Sequence, residues 1–439
     1  MNATEYRRYH ESFMENNHGS SFLHTFTCIL YTVLCSVKIS SQQHKSELNQ
    51  FVREYFLIIL PMILVHTVVP HYLEGLTLIE ILYLGYKLSK VVNVSKVTKL
   101  FLCKNDFRTK RIQSISCLRG LTYLITVFSI LAVDFKEFPR YLAKTERFGY
   151  SLMDTGVGLF VFMSGLVHKD LTKETYKSVL RANIKFITIL IILGVARFVS
   201  IKQLDYQEHV TEYGVHWNFF FTLATCKLIS FIALYFFTQP LLLCICTLIL
   251  HESLLHSSLQ KWVFSNTPRI SFFDANREGI ASSLGYVSMY LFAVYLKEKL
   301  RDQSVQRHCL LIKLTSISVL LCLLSHFVNV VKPTSRTLAN SGYCLYLGSI
   351  LVIILTLLYI LEVLSQDKET EICYEIPLTL SNINKNGLIY FLVANLTTGF
   401  INIQTNNKPS FYSNTLFVIF ILIVSFLFHY HYNRLKLII

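Results

Sequence analysis

Charge is what this sequence has least of. Asp, Glu, Lys and Arg make up 15% of its 439 residues, where a soluble globular chain carries about 25%, and the shortfall excludes a broad solvated surface. HExxH spacing and clustered histidines are also absent, and Cys244-x-Cys246 has no partner pair, so no metal centre is expected. Eleven cysteines could suggest a disulfide framework. However, Cys28, Cys35, Cys226, Cys244, Cys246 and Cys322 fall in apolar runs, and Cys103, Cys117, Cys309 and Cys373 fall in or beside the more basic loops, which leaves no pair to bridge. No aromatic-basic interleaving points to nucleic acid. No convincing internal repeat supports the mirrored halves of a secondary transporter.

What remains is apolar: 53% of the residues are hydrophobic. The fold class expected is all-α, a polytopic membrane protein with about thirteen transmembrane helices. They fall near residues 21–38, 55–71, 73–88, 119–135, 150–167, 183–200, 216–234, 238–255, 279–296, 309–331, 342–364, 387–403 and 411–429. Pro70 and the Gln239-Pro240 pair make the second, third, seventh and eighth boundaries the least sharp. Nothing suggests a separate soluble domain, so residues 1–439 read as one integral membrane domain. The N-terminus is polar through Ser20 and lacks the charged and apolar regions of a cleavable signal; the first apolar run reads as a retained span. An odd number of spans puts the termini on opposite sides. With the N-terminus lumenal and the C-terminus cytosolic, the cytosolic loops hold about twice as many Lys and Arg as the lumenal ones. The loop over 87–119 leads that bias, and the net charge of +14 is then explained by basic loops facing an anionic lipid leaflet.

Residues 121–167 are the most informative stretch, because two apolar runs there are joined by a short linker crowded with charge. Asp134 closes the first run, Arg140, Lys144, Glu146 and Arg147 occupy the linker, and Asp154 sits inside the second run. An ionisable group within a span costs roughly 2.5 to 3.5 kcal/mol on insertion scales, which makes each a candidate for function. Further polar clusters fall on the same expected lumenal side. One spans 205–218 and holds Asp205, Glu208, Glu212, His216 and Asn218; a second holds Asn276 and Glu278, leading to Tyr286; a third ends at Asn340. Asn395, Gly399 and Asn402 share a helical face by spacing. The plainer alternative is that such residues bond helices together or end loops. Glu80, Arg197 and Lys227 stand alone and read as locally paired or snorkelling.

The segments AVDF (132–135), FPRYLAKTE (138–146) and LMDTGVGLFVF (152–162) resemble the signature of the glycosylphosphatidylinositol (GPI) inositol acyltransferases. EYGVHWNFFFTL, ANREGIASSLGY, SRTLANSGY and ANLTTGFIN are similar to further segments of that family in the same order, so the resemblance runs from about residue 10 to the C-terminus. Tyr141 stands where the family usually has a second Arg, Thr155 where Leu is common, and Arg277 in place of a usual Lys.

The resemblance implies an endoplasmic-reticulum membrane enzyme. It would move a long acyl chain, typically palmitoyl, from acyl-CoA to the inositol 2-hydroxyl of glucosaminyl-phosphatidylinositol. Acyl-CoA is then a cosubstrate, membrane lipids surround the protein, and no cofactor is tightly bound. A ring hydroxyl needs a base as it attacks a thioester, and the tetrahedral intermediate needs donors or positive charge. The resemblance points to Asp134 as that base, with Lys144 pairing with it; His216 is the competing base. By charge, Arg140 and Arg147 suit the lipid phosphate, and Asp205, Glu208 and Glu212 suit the glucosamine amine. Asp154, Asn218, Asn276, Glu278, Tyr286, Asn340, Asn395 and Asn402 complete the candidate substrate contacts. A transporter, or an accessory subunit handling a lipid-linked glycan, stays open as the alternative.

Overall fold

The computed structural model describes residues 15–37, 47–91, 94–105, 112–135, 137–170, 176–203, 210–365 and 375–405. Its elements are helices: α1 is Phe22–Val37. α2 runs through Glu47–Glu54, a π-helical turn Tyr55–Ile59, and Leu60–Thr67. α3 is Leu73–Val91, α4 Val94–Leu102, α5 Gln113–Ala132, α6 Leu152–Leu166 and α7 Tyr176–Gln203. α8 is Phe219–Phe236, and α9 is Pro240–Leu254, continuing to Val263. α10 is Arg277–Arg301, α11 Arg307–Val331, α12 Ser341–Leu364, α13 Leu378–Lys385 and α14 Gly387–Thr405.

Eight helices of the described residues are long and apolar enough to cross a membrane, and α1, α6 and the apolar part of α14 are shorter. The expected third run is the helix α3. The expected last run, 411–429, lies outside the described residues. Breaks that look too brief to be loops are enough in practice. A 3-10 turn, Pro70–Tyr72, separates α2 from α3, and Pro240 opens α9 in its first turn, where its missing N–H leaves no bond unmade.

Burial sorts the helices. The apolar stretches of α5, α10 and α12 are 78% buried, against 17% for α9 and α11. The outer helices turn Leu242, Ile249, Leu320, Phe327 and Val330 outward, the composition that lipid requires. α6 is enclosed by α5, α8, α10 and α12. It fits because Gly158 lets Leu347 and Tyr343 of α12 lie against its backbone.

Helix starts at one end of the bundle are capped by their own sequence. Ser151, Asn218 and Asn340 each accept a backbone N–H of the helix they open. At the other end α5 is capped from a distance, with Gln113 N and Ser114 N donating to Glu362 at 2.7 and 2.8 Å. The segments 15–21, 133–151, 210–218, 264–276 and 332–340 meet at the first end, where the candidate residues gather.

Candidate active site

The linker from α5 to α6 folds around one amide. Asn17 Nδ2 donates to the carbonyl oxygens of Arg140, Ala143 and Lys144 at 2.9, 3.1 and 3.0 Å, and Glu146 N returns a bond to Asn17 O at 3.0 Å. Arg140 turns back on the helix before it and donates to Val133 O and Phe135 O at 2.8 and 2.9 Å. A guanidinium there meets carbonyls just past the helix end, where intrahelical donors run out. Asp134 sits half-buried between those two carbonyls in sequence, two residues beyond the end of the helix.

Lys144 points into the bundle end, and its Nζ is 2.6 Å from Glu212 Oε2. The expected partner was Asp134. Glu212 takes that place because residues 210–218 fold over the linker, a long-range arrangement that spacing along the chain does not encode. Glu212 Oε1 lies 4.0 Å from Arg336 Nη1, and Arg336 Nε donates to Asp154 Oδ1 at 2.8 Å. Two cations and two carboxylates thus form a row, Lys144, Glu212, Arg336, Asp154. Asp154 is 2% exposed and Arg336 2%. In so dry a place a lone charge would be expensive, and the alternation offsets that cost.

Each member is held by neutral donors and acceptors. Asp154 Oδ2 accepts from Thr145 N at 3.2 Å and Thr145 Oγ1 at 2.7 Å. Its backbone carbonyl accepts from Tyr343 Oη at 2.7 Å. Arg336 lies over the Tyr213 ring, 6.0 Å from its centroid, while Arg336 O accepts from Tyr286 Oη at 3.4 Å. Arg336 Nη2 is buried with no partner among the described residues, so one donor inside this row is unmet. Burial works to raise the Glu212 carboxyl, yet Lys144 and Arg336 outweigh it and hold Glu212 below the usual carboxylate range. For Arg336, burial disfavours the charge, and Asp154 and Glu212 more than offset it.

The loop that carries Arg336 is built with care. Asn340 Oδ1 accepts from Ser335 N and Tyr343 N at 3.0 and 3.1 Å, and its Nδ2 donates to Pro333 O at 2.9 Å. Ala339 has φ of 46°, a left-handed conformation that costs a non-glycine residue about 1 kcal/mol or more. Gly285 of α10 lets the Ala339 backbone approach, since a Cβ there would collide with Ala339 O. Asn340 and Tyr286 therefore shape the row from behind.

A second cluster lies beside it. Asn276 Oδ1 accepts from His216 N and Trp217 N at 2.8 and 2.9 Å, and Nδ2 donates to Phe272 O at 2.8 Å. The His216 ring stands between Phe198 and Phe272, with centroids 5.3 and 6.3 Å away. Gly279 N donates to Tyr213 O at 2.9 Å, which ties this cluster to Glu212. Asn218 caps α8 and donates to Gly194 O at 2.9 Å. Glu278 is gripped by Arg269, at 3.0 and 2.5 Å.

Other candidates stand apart. Arg147 is exposed beside Glu146 and the Phe264 ring. Asn395 donates to Phe391 O of its own helix at 2.7 Å. Asp205 and Glu208 lie outside the described residues, as does the side chain of Asn402. Glu212, expected to face a substrate amine, faces two of the protein's own cations instead. Arg336, Thr145, Tyr213, Tyr343 and Asn17 were not anticipated. The one available signal was the polar run over 335–340, in which the Asn drew attention and the Arg did not.

The family model described as GWT1 matches residues 6–431. GPI-anchored wall transfer protein 1 of Schizosaccharomyces pombe is 32% identical, over 97% of this chain and 97% of its own length. Glucosaminyl-phosphatidylinositol-acyltransferase PIGW of Bos taurus is 29% identical over 91% and 92% of the two chains. GPI-anchored wall transfer protein 1 of Candida albicans is 33% identical over 83% and 84%. With a family match over residues 6–431 and a 32% identical relative covered over 97% of its length, the chain belongs to the GWT1 family.

Proposed function

We propose that this chain is an acyltransferase of GPI-anchor assembly that uses acyl-CoA to acylate the inositol 2-hydroxyl of glucosaminyl-phosphatidylinositol. The names of the relatives support the reaction and the glycolipid. The observation that carries the reading is the row Lys144, Glu212, Arg336, Asp154, drawn from four separate segments to one end of a lipid-embedded bundle. The excess of Lys and Arg on the loops of the opposite end supports a lumenal place for the end that bears the row, in the endoplasmic-reticulum membrane, with the N-terminus lumenal.

In the reaction, the inositol oxygen bonds to the thioester carbonyl carbon, the carbon-sulfur bond breaks, and the hydroxyl proton ends on the CoA thiol. Asp134 takes the proton as general base. Lys144, steadied by Glu212 and with its side chain 28% exposed, stabilises the oxyanion. The unmet donor of Arg336 supports a part for it in holding substrate charge, a task the sequence alone assigns to Arg140 and Arg147. The fatty acyl chain is long, of the palmitoyl type, and lies between helices.

The test is transfer of labelled palmitoyl from CoA to a glucosaminyl-phosphatidylinositol analogue by detergent-purified protein, beside an Asp134→Asn, Lys144→Ala variant of equal folded yield. Transfer by the wild type alone supports the reading. Transfer by both moves the base to His216, and transfer by neither, with the glycolipid still bound, rejects the enzyme.

A further inference from the structure

For Lys227, which stands alone in the sequence, both expected explanations fail among the described residues. It lies in the middle of α8, nine residues beyond Asn218, or about 13 Å from that end at the helical rise. It is 9% exposed, so it does not snorkel. No carboxylate lies within 4.0 Å of it among the described residues. Its neighbours are rings, Phe186 of α7 at 5.4 Å and Tyr290 of α10 at 5.9 Å. Ring faces attract a desolvated ammonium but do not neutralise it. An ionisable group at that depth is by default a candidate for function.

The surroundings say from which end an anion would come. Tyr290 Oη meets His168 Nδ1 at 3.0 Å, and His168 follows α6 at the end of the bundle away from Asp134 and Lys144. Lys297 lies beside it, 3% exposed, and donates to His168 O at 3.0 Å and to Asp170 at 2.5 Å. Lys169 adds a further positive charge at that end. The acid of that end, Asp170, is already bound to Lys297. From this end inward the order is therefore Lys169 and Lys297, then His168 and Tyr290, then Lys227. Polar and basic side chains thus line up from that end to the middle of the bundle, with Lys227 the innermost.

We propose that Lys227, approached past Lys297 and His168, binds the pyrophosphate of the acyl-CoA donor, which enters from the end of the bundle opposite Asp134 and Lys144. The proposal rests on the acyltransferase reading above. Acyl-CoA suits this line of groups because its anionic part and its thioester are joined by a long, flexible, uncharged pantetheine arm. Pyrophosphate can sit at mid-membrane depth while the thioester reaches the far loops. A glycolipid phosphate belongs at a bilayer surface and is the less suited source of the same chemistry.

The experiment measures initial rates for wild type, Lys227→Met and Lys227→Arg with palmitoyl-CoA, and with palmitoyl-pantetheine, which has no phosphate. Lys227→Met should raise KM for palmitoyl-CoA about 10- to 100-fold, the usual scale for a lost charge-assisted contact, and leave KM for the glycolipid within about twofold. Lys227→Arg should recover most of the loss. With palmitoyl-pantetheine, wild type and Lys227→Met should behave alike. A KM change on the glycolipid instead would overturn the proposal in favour of the lipid phosphate. Unchanged constants with a lowered Tm would reduce Lys227 to a packing residue. If even the wild type transfers nothing, stabilisation by free CoA decides: a Tm rise in wild type that Lys227→Met lacks upholds the anion site and rejects the transferase, and no rise in either rejects the site.

Discussion

Arg336 and Asp154 stand 182 residues apart in the chain, yet Arg336 Nε meets Asp154 Oδ1 at 2.8 Å with both side chains almost wholly buried. Removing one partner leaves the other charged and dry. Arg336→Met is therefore expected to cost about 3 to 5 kcal/mol, read as a large fall in Tm in detergent. Adding Asp154→Asn should restore much of it. If the two losses simply add, the pair is not coupled in the way its geometry requires.

The general base should be separable from its neighbours by rate at constant fold. Asp134→Asn is expected to lower turnover by about 10² to 10⁴ with Tm unchanged. His216→Ala should stay within about threefold: it removes the 3.5 Å contact of the ring with Asn276 Nδ2 but leaves the bond from the His216 backbone N–H to Asn276 Oδ1. The reverse order of effects would exchange the roles of the two residues.

Glu212 gives a pH dependence with a definite sign. Burial acts to raise its carboxyl, but Lys144 and Arg336 prevail and hold it below the ordinary value of 4.5. Its contribution to stability is therefore complete above pH 4.5 and is lost as pH falls through the lower folded value. A plot of Tm against pH should drop over that acid window in wild type and drop less in Glu212→Gln. Near neutral pH this group should produce no slope.

Sequence alone made the helices legible because lipid imposes long apolar runs, and charge on the linker over 133–151 marked the end of the bundle where the row of charges gathers. Partner choice was hidden. Lys144 and Asp134 are neighbours along the chain, but Glu212 reaches Lys144 through the fold of another loop, and nothing in the spacing of 210–218 announces it. Arg336 was passed over because an Arg in a polar loop reads as solvated; it is buried only because Gly285 admits the loop into the bundle. Asn17 escaped notice for a similar reason, since the three carbonyls it bonds belong to a segment more than 120 residues later.

That glycine supplies the sharpest steric test. A Cβ on Gly285 would collide with the Ala339 carbonyl oxygen and crowd the Ala339 side chain, and backbone cannot swing aside as a flexible side chain can. Ala339 is already held at a positive φ and bonds back to Arg336 O at 3.0 Å, so the displacement passes directly to Arg336. Gly285→Ala should therefore lower activity at least tenfold, although the same change in an unobstructed helix favours folding by up to about 1 kcal/mol. Gly85 of α3 is the control, because nothing lies within 4 Å of a Cβ placed there. Gly85→Ala should leave both activity and Tm near or above wild type. If Gly285→Ala matched it, the loop bearing Arg336 would not depend on the close approach to α10, and the row of charges would have to be held in place by Asn340 and Thr145 alone.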